Sequence, residues 1–125
     1  MSKFLTDLEV KDPDGFPFEV IQPLVYESDV IKATVTVPVG FKTDFASIPQ
    51  VLWNILPPVG RYDRAAVVHD YLYQTQRYTR AQSDSVLHEA MEVLKVQAWR
   101  RKAIYAGVRV GGWHAWREDG KHLIV

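Results

Sequence analysis

The first third of the chain alternates. Phe4, Thr6, Leu8 and Val10 fall on one side of an extended backbone, with Leu5, Asp7 and Glu9 on the other, so residues 4–10 predict a half-buried strand. Asp12-Pro13-Asp14-Gly15 reads as a turn, because proline presets φ and glycine accepts positive φ. Residues 16–26 continue extended, and Pro23 puts a bend or a sheet edge inside them. The cleanest alternation runs over 30–37: Ile31, Ala33, Val35 and Val37 point one way, Lys32, Thr34 and Thr36 the other. Together these segments predict a small antiparallel sheet.

Beyond residue 45 the apolar period changes from two to between three and four. Ser47 is placed to cap a short helix with Pro49 in its first turn, and Pro57-Pro58 ends that helix. Residues 62–74 are apolar nearly all round (Ala65, Ala66, Val67, Val68, Tyr71, Leu72, Tyr73), the pattern of a buried helix. Thr79-Arg80-Ala81-Gln82 fits a capping box and opens a helix to about Val96, apolar at Val86, Leu87, Ala90, Met91 and Leu94. A further helix starts near Ala98. Its stripe Trp99, Ala103, Ala106, Val110 and Trp113 is the predicted packing face, and Gly111-Gly112 is a stop or a kink. The tail 121–125 fits a short strand or an unpaired end. The whole predicts an α+β fold. One domain covers 1–125: a small N-terminal antiparallel β-sheet (β-rich 1–45), then a bundle of three to four α-helices (helical 47–117).

Composition narrows the function classes. A length of 125 residues suits one core and not two. Fifteen basic residues balance fifteen acidic ones, so no global field draws the chain onto nucleic acid. Zero net charge also leaves little repulsion between copies, so self-association is open. With no cysteine, disulfides and thiolate metal sites are excluded, and any metal must use His, Asp or Glu. No apolar run approaches the roughly 20 residues of a membrane span. The first residues lack the apolar core of a signal peptide, which points to the cytoplasm at synthesis.

The chemistry candidates sit inside apolar text, where ionisable groups cost free energy unless paired or used. His69-Asp70 lies in the buried helix, and a neutral histidine there can act as a base or a metal ligand. The simpler alternative is a core histidine bonded to main chain. Asp84 and His88 are four apart on one helix face. With His69 they would make a three-ligand zinc site, while an oxygen-rich set with Asp44 and Asp70 would suit Mg²⁺ or Mn²⁺. The alternative is an Asp84 that only complements the helix dipole and a His88 in solvent. Ser47 is a candidate nucleophile with His69 as base and Asp70 or Asp44 as orienter, though no Gly-x-Ser-x-Gly elbow is present. Asp44 follows the last strand and is placed to enter the groove between sheet and helices. Arg100-Arg101-Lys102, Arg109 and Arg117 make the last helix locally basic; a solvated face balanced by Glu89 and Glu92 is the plainer reading.

One set of residues resembles a known family. Gly40-Phe41-Lys42-Thr43-Asp44-Phe45-Ala46-Ser47-Ile48-Pro49, then Pro57-Pro58-Val59-Gly60 and Tyr62, then Ala65 through Tyr73, then Arg80 and Asp84, resemble the domain-of-unknown-function family 1353. Its members occur mostly in tailed bacteriophages and prophages. The resemblance covers roughly residues 30–113 and marks Thr43, Asp44, Ser47, His69, Asp70 and Asp84 as the family's polar signature. His88 is not part of that signature. No reaction comes with the resemblance. It implies a phage or prophage setting, with synthesis in the host cytoplasm and a virion association open.

Two functions follow. The first is a small metal-assisted hydrolase with catalytic His69, Asp70, Asp44 and Ser47, and a divalent metal (Zn²⁺, or Mg²⁺ or Mn²⁺) on His69, Asp84 and Asp44, acting on a host-cell substrate. The second is a non-enzymatic virion or assembly component, at a tail tip, baseplate or connector. It would meet other phage structural proteins, and its polar motif would be structural.

Overall fold

The computed structural model describes residues 1–11, 18–43, 47–55 and 63–121. It is an α+β fold, as expected, with the N-terminal antiparallel strands of the described residues arranged in two small sheets. Strands β1 (Lys3–Phe4), β4 (Leu24–Ser28) and β5 (Ala33–Val37) form the first, in the order β1-β4-β5. Strands β2 (Val10–Lys11), β3 (Phe18–Val20) and β6 (Lys42–Thr43) form the second, in the order β2-β3-β6. The alternation of residues 4–10 is kept, with Phe4, Thr6, Leu8 and Val10 half-buried and their neighbours exposed. Its two ends nevertheless pair with different sheets: Phe4 opposes Tyr26, and Val10 opposes Val20. Alternation reports which face is covered and carries no information on which strand supplies the hydrogen bonds.

Pro23 breaks the second extended segment as its missing donor requires, leaving β3 and β4 on either side. The β4–β5 hairpin puts Leu24, Tyr26, Val35 and Val37 on the covered face. The chain reverses between β5 and β6 at Gly40, whose φ of 90° suits a residue without Cβ, and the Gly40 N–H donates to the Val20 carbonyl at 2.8 Å.

After β6 comes a short 3-10 helix at Gln50–Ile55, then four α-helices: α1 (Asp63–Thr75), α2 (Arg80–Val93), α3 (Ala98–Gly111) and α4 (Trp113–Gly120). Helix α1 is the centre of the molecule. Ala65 through Val68 are fully buried, and α1 packs against β4, β5 and β6 on one side and α2 and α4 on the other. The small alanines let those neighbours approach. Helix α2 opens with the predicted capping box: the Thr79 side chain accepts from the Gln82 N–H, and the Gln82 side chain accepts from the Thr79 N–H. Glu89 ties α2 to the first sheet, accepting from Tyr26 Oη at 2.8 Å, Ser28 Oγ at 2.7 Å and the Val30 N–H at 2.9 Å.

Two expectations are corrected. Ser47 caps no helix; its hydroxyl is spent on side chains of α1, as described below. The stripe Trp99, Ala106, Val110 and Trp113 does not face the core. Ile104 and Val108, roughly half a turn round the helix, are the buried positions of α3, while Trp99 is 56% and Val110 78% exposed. Both stripes have helical spacing, so periodicity alone could not choose between them. The turn at 12–15, Pro57-Pro58 and residues 122–125 lie outside the described residues. No described helix is long and apolar enough to cross a membrane.

Candidate functional site

His69 and Asp70 are consecutive on α1, so their side chains leave the helix about 100° apart and serve different neighbours. Asp70 faces β6 and the segment after it. It accepts hydrogen bonds from Thr43 Oγ1 on one carboxylate oxygen and from Ser47 Oγ on the other. The Ser47 N–H adds a third donor at 3.1 Å. His69 faces α2. Its Nδ1 lies 2.9 Å from Ser47 Oγ and its Nε2 2.7 Å from Asp84 Oδ1. Ser47, His69 and Asp84 thus form one hydrogen-bonded line, and Asp70 meets it at the serine. All four side chains are buried, His69 and Asp84 completely.

Helical spacing assembles the Asp84 end. Tyr73 follows His69 by four residues and therefore shares its face; the rings pack 4.3 Å apart, and Tyr73 Oη donates to Asp84 Oδ1 at 2.6 Å. Arg80 precedes Asp84 by four on α2 and reaches Oδ2 at 3.4 Å, while Arg109 of α3 donates to the same oxygen at 2.8 Å. Arg80 also donates to the carbonyls of Val108, at 3.0 Å, and Arg109, at 3.2 Å. It therefore fastens the last turn of α3 beside the carboxylate it helps to neutralise. Gly112 lets α4 come in close: a Cβ there would sit 2.6 Å from Tyr73 Oη.

The two carboxyls are pushed in opposite directions. Burial raises Asp70 above its ordinary value, against the opposing pull of the Ser47 and Thr43 hydroxyls. Burial also works to raise Asp84, but hydrogen bonding from His69, the imidazole's charge, Tyr73 and Arg109 outweigh it and hold Asp84 below the ordinary range. Burial and the bond to Asp84 push the Tyr73 phenol up, so it stays a donor.

Ser47 Oγ carries one proton and has two acceptors within reach, Asp70 Oδ1 and His69 Nδ1, so it donates to one of them at a time and is the switch between the two arrangements. The order hydroxyl, imidazole, carboxylate is that of the serine-protease triad, with the two ring nitrogens exchanged.

Of the predicted site residues, Ser47, His69, Asp70 and Asp84 are brought together, with Thr43. Asp44 lies outside the described residues. His88 takes no part in the network: it packs edge-on against Tyr105 of α3 at 5.4 Å. Among the described residues no group of three or more His, Asp or Glu is arranged to hold a metal ion. Both nitrogens of His69 and both oxygens of Asp84 already have protein partners. Tyr71, also on α1, is half-buried against Phe41 at 5.4 Å. Sequence reasoning missed Tyr73, Arg80 and Arg109 as partners of Asp84. The four-residue spacings His69–Tyr73 and Arg80–Asp84 carried that signal; Arg109, reaching in from another helix, left none.

A curated relative, an uncharacterized protein y4jT from Sinorhizobium fredii (strain NBRC 101917 / NGR234), is 37% identical over 78 residues, which cover 61% of this chain. The chain spans less than a quarter of that protein, 23% of its length. No solved structure matches the chain. The family described as "Protein of unknown function (DUF1353)" matches residues 18–108, a span holding all of the polar network except Arg109. The chain belongs to that family.

Proposed function

We propose that the chain is a small hydrolase of ester or amide bonds, with Ser47 as nucleophile and His69 as base. The unbroken line Ser47–His69–Asp84 at 2.9 and 2.7 Å carries the reading. In this chemistry Ser47 Oγ bonds to the substrate carbonyl carbon and its proton passes to His69 Nδ1. Asp84, hydrogen-bonded to Nε2, stabilises the imidazolium. The leaving group departs with that proton as its bond to carbon breaks. Water then adds, gives a proton to His69, and frees Ser47 as the acid product leaves. Asp70 and Thr43 hold the serine in place. The metal-assisted version fits less well, because a cation on His69 and Asp84 would displace the bonds from Ser47, Tyr73 and Arg109. In a phage or prophage setting, the amide bonds of peptidoglycan are a substrate of the right class.

A fluorophosphonate probe read by intact mass tests this. Wild type takes one adduct, mapped to Ser47, and chelator leaves the rate unchanged. Ser47→Ala takes none, and His69→Gln, which keeps a polar ring-sized group, labels about a hundredfold more slowly or less. A folded wild type that stays unlabelled overturns the reading. Labelling lost on chelation restores the metal version.

The near-complete enclosure of Ser47, at 2% exposure, favours a second reading. In it the network locks β6, α1, α2 and α3 together in a virion or assembly component. Under that reading Ser47→Ala lowers stability and the probe is refused.

A further inference from the structure

Helix α3 has two apolar faces. Ile104 and Val108 point inward, and on the opposite side Trp99, Ala106 and Val110 continue into Trp113 of α4, all exposed. A helix needs only one such face to pack into its own domain. The outer one is flanked by exposed Lys102, His114 and Arg117, and no acidic residue occurs from 98 to 117. Across the α2–α3 seam the charge reverses. A groove of about 500 Å³ is lined by His88, Glu89, Glu92 and Tyr105 among others. An adjoining one of about 440 Å³ adds Asp29 to the same two glutamates. The Glu92 side chain is 64% exposed. The stripe and the groove share a border, where Arg101 approaches Glu92 at 3.7 Å and Tyr105 packs on His88.

We propose that this surface is the interface of a two-fold homodimer, in which the Trp99–Val110 stripe and Lys102 of each copy lie over the Glu89–Glu92 groove of the other. A patch that is cationic and apolar on one half and acidic and concave on the other is complementary to itself under a two-fold rotation. Each interface residue then meets its counterpart twice. Exposed tryptophans supply the apolar anchors and the lysine–glutamate pairs the rim. Zero net charge removes the repulsion that would otherwise oppose pairing of like chains.

Sedimentation equilibrium on the whole chain tests it, with charge swaps as the probe. Wild type at micromolar concentration has twice the 14.3 kDa chain mass. Lys102→Glu and Glu92→Lys each place like charges opposite one another at both contacts, and each raises the dimer dissociation constant about tenfold or more. An equimolar mixture of the two variants pairs again, because every contact is then of opposite sign. Val110→Asp, at an exposed position that leaves the fold intact, dissociates the dimer and is not rescued by mixing. A monomeric wild type overturns the proposal, as do swap variants that fail to recover when mixed. Binding of a monomeric wild type to vesicles of anionic lipid assigns the stripe to a membrane surface and also overturns it.

Discussion

Asp70 and Asp84 sit on either side of one imidazole, and their pKa values move in opposite directions. Asp70, on the sheet side, is surrounded by hydroxyls and a backbone N–H. Burial prevails there over the pull of these donors and of the nearby imidazole, and its pKa rises. Asp84, on the helix side, faces an imidazole, a phenol and two guanidiniums. The His69 hydrogen bond, the imidazole's charge and the bonds from Tyr73 and Arg109 together outweigh burial there, and its pKa falls although its side chain is fully buried. Burial alone therefore does not set the direction of the shift; the donors that face the carboxylate decide it. Between the two lies Ser47–His69, a hydroxyl and a ring that can pass a proton either way.

The largest effect that could break this contrast is at Asp84. Asp84→Ala leaves His69, Arg80 and Arg109 facing a void and destabilises the fold by about 3–5 kcal/mol in chemical denaturation. A loss below about 1 kcal/mol would show that the guanidiniums do not depend on that carboxylate. Asparagine sharpens the comparison: Asp84→Asn costs about 2–3 kcal/mol, whereas Asp70→Asn, which keeps the shape and polarity of a neutral acid, stays within about 1 kcal/mol of wild type. Equal costs at the two sites would mean that both carboxyls are charged.

The pH dependence gives the next effect. Asp84 is held low, so its contribution is present above the ordinary value of 3.8 and is lost as pH falls through its folded pKa. Asp70 is raised, so its contribution is complete below 3.8 and is lost as pH rises through its folded pKa. Thermal unfolding against pH therefore shows Asp84→Asn flattening the acid limb below 3.8 and Asp70→Asn flattening the curve above it. Both variants altering the same limb would contradict the contrast. The smallest effect is at Tyr73→Phe, which removes one donor from Asp84 and costs about 1 kcal/mol in the same assay. A neutral outcome would place the weight of that carboxylate on the arginines alone.

Much of this was legible in the chain. The α+β order, the Thr79 cap, the break at Pro23 and the all-round burial of α1 follow from local rules that the structure leaves in force. The candidate residues Ser47, His69, Asp70 and Asp84 stand out as polar groups in apolar text, and they meet in one network. Their pairing was not legible. Nothing in spacing says that Ser47 turns away from its own helix toward α1, because a cap and a tertiary hydrogen bond need the same side chain. Nor does periodicity say which of two stripes on α3 faces inward: both have helical spacing, and Ile104 and Val108 fill the core. Arg109, read as part of a solvated basic face, crosses from α3 to Asp84. Contacts between elements distant in sequence leave no periodic trace, and this network consists largely of such contacts.

The direct test of the contrast is carboxyl carbon NMR of the whole chain, with the Asp70 and Asp84 signals assigned from their asparagine variants and followed through acid titration. Two separate midpoints are expected on opposite sides of 3.8, with Asp84 the lower and Asp70 the higher. A shared midpoint, or Asp70 ionising first, would contradict it.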